Sequence, residues 1–133
     1  MPRIADIEGI GASYAHKLKS VGIASVEALL KAAASPKDRD ELSKKIGIQA
    51  STILEWANRA DLFRIKGVGA QYSDLLEQAG VDTVVELSKR VPENLHEKLL
   101  EVNKGKKFVQ RPPSIKAVQS WVSQAKKLPR KLE

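Results

Sequence analysis

Apolar residues recur along this chain at helical spacing, and no window shows the strict alternation of a half-buried strand. Over Ser13–Val21 the residues Tyr14, Ala15, Leu18 and Val21 share one face. Gly22 then stands where a helix C-terminal cap belongs. Ser35-Pro36 reads as an N-cap followed by proline in the first helical position. The run from Thr83 to Glu86 has the form of a capping box. Ser114, after Pro112-Pro113, opens a last helix whose apolar face is Ile115, Val118, Trp121, Val122 and Ala125. The pattern predicts an all-α chain of about ten short helices.

The pattern also repeats. At a shift of 58 residues, Ile4–Ala33 lies on Leu62–Val91 without a gap, and ten of the thirty positions are identical. The identities include Ile7/Ile65, Gly9/Gly67, Gly11/Gly69, Tyr14/Tyr72, Leu18/Leu76 and Gly22/Gly80. Pro36 falls near Pro92, and Trp56 matches Trp121 at a shift of 65, so the second copy is seven residues longer between its glycines and its tryptophan. The surplus lies between Pro92 and Trp121, in a region that includes Lys104-Gly105-Lys106-Lys107. Two copies follow from this, one over residues 1–60 and one over 61–133.

Charge is unevenly spread over the copies. The chain of 133 residues carries a formal charge of +7. Nine basic residues and no acidic one lie between Asn103 and Leu132: Lys104, Lys106, Lys107, Arg111, Lys116, Lys126, Lys127, Arg130 and Lys131. The rest of the chain is nearly neutral. A concentrated basic stretch calls for an anionic partner, unless it is only a solvated tail. The absence of cysteine excludes disulfides, thiolate metal sites and thiol nucleophiles. With His16 and His96 as the sole histidines, neither a histidine metal site nor a catalytic triad is expected. No apolar run approaches the ~18 residues of a membrane span, and the first residues lack the apolar stretch of a signal peptide. A cytoplasmic protein is the expectation, with no enzyme activity, no cofactor, no metal and no small-molecule substrate.

The local chemistry sits in two glycine hairpins, Ile7-Glu8-Gly9-Ile10-Gly11-Ala12-Ser13 and Ile65-Lys66-Gly67-Val68-Gly69-Ala70-Gln71. Two glycines permit a very tight turn, and the apolar residue between them, Ile10 or Val68, is expected to point inward. The helix that follows presents unpaired N–H groups at its first turn, a small site for a phosphate oxygen. The third glycine of a dinucleotide fingerprint would fall at Tyr14 and Tyr72, which rejects that alternative. Trp56 and Trp121 are expected in the core rather than as base-stacking platforms.

These hairpins resemble the helix-hairpin-helix motif, with its apolar-x-Gly-apolar-Gly pattern. The first copy ends in the small residue Ala15 as the motif requires, and the second has Ser73 there. The segments Leu42–Ala57 and Leu95–Ala125 look like degenerate second hairpins. Each half is then similar to the paired-hairpin domains of DNA repair proteins and of the C-terminus of the bacterial RNA polymerase alpha subunit. The whole chain resembles an uncharacterised bacterial family of tandem helix-hairpin-helix proteins, with small helical bundles of the SAM-like kind.

The resemblance implies binding along a nucleic-acid backbone, independent of sequence, with DNA favoured over RNA. Its donors would be the N–H groups of Gly9, Gly11 and Ser13 and of Gly67, Gly69 and Gln71. Glu8 repels a phosphate at the first loop, whereas Lys66 attracts one at the second, so the second hairpin is the better candidate. Lys17 and Lys19 are the nearest help for the first. Lys66 and the stretch with Lys104, Lys106, Lys107, Arg111, Lys116, Lys126 and Lys127 supply the charge. The helix-hairpin-helix motif often carries Lys or Arg just after its second glycine; here Ala12-Ser13 and Ala70-Gln71 stand there. That departure keeps open a protein-interaction or scaffolding module without nucleic-acid contact.

Overall fold

The computed structural model describes residues 3–133. They hold eight α-helices and one 3-10 turn at Ile4–Asp6, and no strand. The helices are α1 (Gly11–Ser20), α2 (Val26–Ala32), α3 (Pro36–Ile46), α4 (Ala50–Leu62), α5 (Ala70–Gln78), α6 (Val84–Ser88), α7 (Pro92–Gly105) and α8 (Ile115–Lys127). About ten were expected. The second copy lacks a separate counterpart of the 3-10 turn, because Leu62, which matches Ile4, is instead the last residue of α4.

The chain forms two compact units. The described residues up to Asp61 make the first, together with Arg130–Glu133; Leu62–Pro129 make the second. The last four residues therefore lie with the first unit, where the sequence placed them with the second. A hydrogen bond from Glu133 N–H to Ala34 O (2.9 Å) and one from the buried Arg39 Nη2 to Glu133 O (2.9 Å) hold them. Arg39 Nη1 also donates to Ala33 O at 2.8 Å. Leu132 is buried there.

The same local devices shape both units. α1 ends at Gly22 in a Schellman turn, with Ile23 N–H on Leu18 O (2.9 Å) and Gly22 N–H on Lys19 O (3.0 Å). α5 ends at Gly80 in the same way, with Val81 N–H on Leu76 O (2.9 Å) and Gly80 N–H on Glu77 O (3.0 Å). Ser25 caps α2 by accepting from Ala28 N–H (3.0 Å), and Thr83 caps α6 by accepting from Glu86 N–H (3.1 Å). The expected capping box is only half formed, since the Glu86 carboxylate turns to Arg90. Ser35 and Ser114 cap α3 and α8 as the sequence indicates.

Aliphatic side chains fill each core, around one tryptophan per unit: Trp56 in the first and Trp121 in the second, both buried. Of the face expected on α1, Leu18 is fully buried, but Tyr14 and Val21 are exposed. Tyr14 instead lays its ring on Trp56, centroids 5.4 Å apart at 50°. Tyr72 does the same on Trp121, at 5.3 Å and 55°.

Candidate nucleic-acid interface

Both glycine hairpins exist, and both sit on a tryptophan. Ile10 and Val68 are buried to 3% exposure, so each pins its turn to the core. Gly9 and Gly67 have φ of +90° and +96°, which side-chain-bearing residues rarely adopt. A Cβ on Gly9 would lie 3.4 Å from Trp56 Nε1, and one on Gly67 3.1 Å from Trp121 Nε1. The indole edge therefore packs directly under each turn.

The hairpins differ at the second glycine. Gly11 has φ +60° and is the first residue of α1. Gly69 has φ −104° and ψ −165°, extended backbone, and is the N-cap of α5. In both, Gly11 with Ser13 and Gly69 with Gln71 stand at the start of a helix of at least nine residues, where the first N–H groups lack intrahelical acceptors, while Gly9 and Gly67 lie two residues earlier in the turn. Gly9, Gly11, Ser13, Gly67 and Gln71 are exposed and Gly69 is half-buried.

The second unit brings charge to its hairpin. The backbone of Lys66 is clamped by the side chain of Gln124 on α8: Lys66 N–H donates to Gln124 Oε1 (2.8 Å), and Gln124 Nε2 donates to Lys66 O (3.1 Å). Arg64 Nη2 reaches Pro129 O, just beyond α8, at 2.6 Å. Residues 64–66 thus lie along the C-terminal half of α8, on the side of Gln124 and, one turn later, Lys127. That helix buries Val118, Trp121, Val122 and Ala125 and exposes Lys116, Gln119, Ser120, Ser123, Lys126 and Lys127. Lys116, Ser120, Ser123 and Lys127 follow one stripe at 3.6-residue spacing. The Tyr72 hydroxyl donates to Arg111 O (2.9 Å), which fixes the Arg111 backbone next to the first turn of α5.

Lys104, Lys106 and Lys107 are exposed at the end of α7 and the start of the loop to α8. Among the described residues no hydrogen bond or ion pair joins them to the hairpin; their loop reaches it at Arg111. That loop is ordered by Asn103, whose Oδ1 accepts from Phe108 N–H (2.8 Å) and Val109 N–H (3.1 Å) and whose Nδ2 donates to Val109 O (3.2 Å). Val109 is buried in the core of the unit. Lys106 Nζ lies 5.3 Å from the Phe108 ring centroid, a cation–π contact. The basic stretch up to Pro129 is therefore folded onto the second unit and is not a loose tail.

The first hairpin gathers less. Glu8 is exposed beside it. Lys17 and Lys19 give it no help, because they sit in the last turn of α1, at the far end from the loop. Lys17 Nζ instead leans over Gly47, 3.9 Å from where a Cβ would be. By unit, twelve basic residues against seven acidic ones give the second +5, and eleven against nine give the first +2.

The sequence reading missed Gln124 and Asn103. A signal for Gln124 was present: at the shift of 65 that pairs the tryptophans, Gln124 falls on Arg59, and at the shift of 58 Lys66 falls on Glu8. The charge of the loop and the residue on the helix behind it change together. Asn103 left no such trace, because its loop has no counterpart in the first copy.

Among the described residues no helix is long and apolar enough to cross a membrane, and no group of three or more His, Asp or Glu is placed to hold a metal. A comparison with family models matches residues 8–128 to the domain of unknown function DUF4332. Neither a curated protein nor a solved structure matches the chain. With nearly all of its length matched, the chain belongs to the DUF4332 family.

Proposed function

We propose that this member of the DUF4332 family binds nucleic acid along the phosphate backbone, with DNA favoured over RNA, and that its second unit makes the grip. In this reading Gly9–Ser13 and Gly67–Gln71 are helix-hairpin-helix turns of the kind found in DNA repair proteins, and the chain is their tandem repeat. The observation that carries it is the convergence at Gly67–Gly69. A helix N-terminus with unpaired N–H groups follows the exposed Lys66, whose backbone is clamped to α8 one turn before the exposed Lys127, and Tyr72 in that helix's first turn holds the carbonyl of the exposed Arg111. Backbone donors and flanking cations are what a phosphate backbone requires, and neither reads bases. The first hairpin, with Glu8 beside it, is a scaffold joint.

Fluorescence anisotropy with a short labelled duplex and the matching single strand, at several salt concentrations, tests the proposal. Neutralising about six phosphates makes log K fall by about 5 for each tenfold rise in salt. Changing Lys66, Lys126 and Lys127 to Glu removes binding at a hairpin-centred site and leaves the circular dichroism spectrum unchanged. Absence of binding at low salt refutes the proposal. It would favour the second reading, a protein-interaction module, for which the apolar and charged cleft described below is the supporting observation.

A further inference from the structure

The two units treat the space over their Schellman glycines differently. In the second unit Arg90 lies over the glycine: Nη2 donates to Gly80 O (3.0 Å) and to Glu86 Oε1 (3.0 Å), and Nε donates to the same carboxylate oxygen (3.2 Å). A Cβ on Gly80 would lie 3.3 Å from that Nη2, so the guanidinium rests on the glycine itself. In the first unit the matching residues are Gly22, Ala28 and Ala32. The arginine and its carboxylate are both cut back to methyl groups. Nothing lies within 4 Å of a Cβ on Gly22, and a cleft of about 400 Å³ opens there, lined by Gly22, Ala28, Ala32 and, from α3, Asp38, Glu41 and Leu42.

Acceptors remain in that cleft without donors. Among the described residues no hydrogen bond to Gly22 O and no ion pair of Asp38 or Glu41 is present. We propose that this cleft is a receptor for an arginine side chain presented by a partner protein. The incoming guanidinium takes the place that Arg90 takes in the second unit and donates to Gly22 O. Asp38 and Glu41 supply the carboxylate that Glu86 supplies there. Lys31 and Lys45 also line the cleft, so recognition rests on the forked fit to fixed acceptors and not on net charge. A lysine, a point charge on a flexible stem, matches those acceptors less well. The corresponding depression in the second unit is as large, about 400 Å³, but is lined by Lys89, Arg90 and Lys98 and by no carboxylate; it repels a cation, which confines the receptor to the first unit.

The test uses the full chain labelled with ¹⁵N and three probes: acetyl-Ala-Arg-Ala-amide and the same peptide with citrulline or lysine in the centre. The arginine peptide gives saturable amide shifts at Gly22, Ile23, Ala28 and Ala32. Citrulline, with the shape but without the charge, binds about tenfold more weakly, the loss of one charge-assisted hydrogen bond. The Ala28→Glu/Ala32→Arg variant rebuilds the internal staple, loses the peptide response and melts a few degrees (~3 °C) higher. The Asp38→Asn/Glu41→Gln variant, at surface positions, also loses the response. No shifts at those residues, equal binding of arginine and citrulline, or an unchanged response in the Asp38→Asn/Glu41→Gln variant overturns the proposal. None of these readouts involves nucleic acid, so the receptor stands or falls apart from the backbone-binding proposal.

Discussion

Replacing Gly67 by alanine should be the most damaging one-carbon change available in either hairpin. Two effects add. At φ +96° an L side chain sits in the left-handed region, which costs about 1–2 kcal/mol. The new Cβ would also lie 3.1 Å from Trp121 Nε1, closer than a carbon and an indole nitrogen settle. Trp121 is buried at 3% and packed by Tyr72, so it cannot retreat without disturbing the core, and such overpacking costs about 1–3 kcal/mol. The expected loss is about 2–5 kcal/mol, a large part of the 5–15 kcal/mol typical of a small domain. Gly9 has nearly the same φ, but its Cβ would meet Trp56 at 3.4 Å, so Gly9→Ala should lose about 1–2 kcal/mol, the backbone strain alone. Gly69 is extended with nothing within 4 Å of a Cβ. Gly69→Ala should be neutral or stabilise by about 0.5 kcal/mol through the unfolded chain.

The assay follows from having one tryptophan in each unit. The two indole N–H resonances report the units separately during urea unfolding, and Trp121 reads the Gly67 and Gly69 variants while Trp56 reads Gly9. The required order is Gly67 worst, Gly9 intermediate and Gly69 harmless. A Gly69→Ala loss equal to that of Gly67→Ala, or a Gly67→Ala loss below about 1 kcal/mol, would refute the account of the turn resting on the indole edge.

Gln124→Ala removes both side-chain bonds to Lys66 and should cost about 1–2 kcal/mol, with faster amide exchange at Lys66 as the local check. Asn103→Ala leaves the N–H groups of Phe108 and Val109 without their acceptor, and a loss of about 2 kcal/mol by urea denaturation is expected. Ser25→Ala and Thr83→Ala each remove one N-cap acceptor and should cost about 1 kcal/mol, read at Trp56 and Trp121 respectively.

Local devices were legible in the sequence and long-range ones were not. The glycine after α1, the serine caps of α3 and α8 and the inward Ile10 and Val68 are set by residues within a turn of one another, so spacing alone reveals them. The burial of both tryptophans follows from apolar periodicity on α4 and α8. Tyr14 packs as its place on the apolar face indicates, but its ring covers Trp56 from the solvent side and so satisfies the helical period without being buried. The clamp of Lys66 by Gln124 joins residues 58 apart, and Arg39 reaches Glu133 across 94. Such bonds leave no local pattern. The backbone difference between Gly11 and Gly69 was equally hidden, since glycine permits either conformation and the sequence is the same.

Within each copy, the residues that shape the hairpin match and the residues around it have been exchanged. Ile7/Ile65, Gly9/Gly67 and the Tyr–Trp pairs keep the turn seated on its indole in both units. Against that fixed frame, Glu8 gives way to Lys66, Arg59 to Gln124, Ala28 to Glu86 and Ala32 to Arg90. The first makes an acidic hairpin loop basic, and the second puts a neutral amide that clamps Lys66 where the first copy has an arginine. The last two put a guanidinium over Gly80 where the space over Gly22 is open. Under the two proposals these exchanges divide the labour between the units. The second would take an anionic backbone beside Lys66, and the first, with the space over Gly22 open, would take an arginine side chain. Copies that were only joints in a scaffold would require neither exchange.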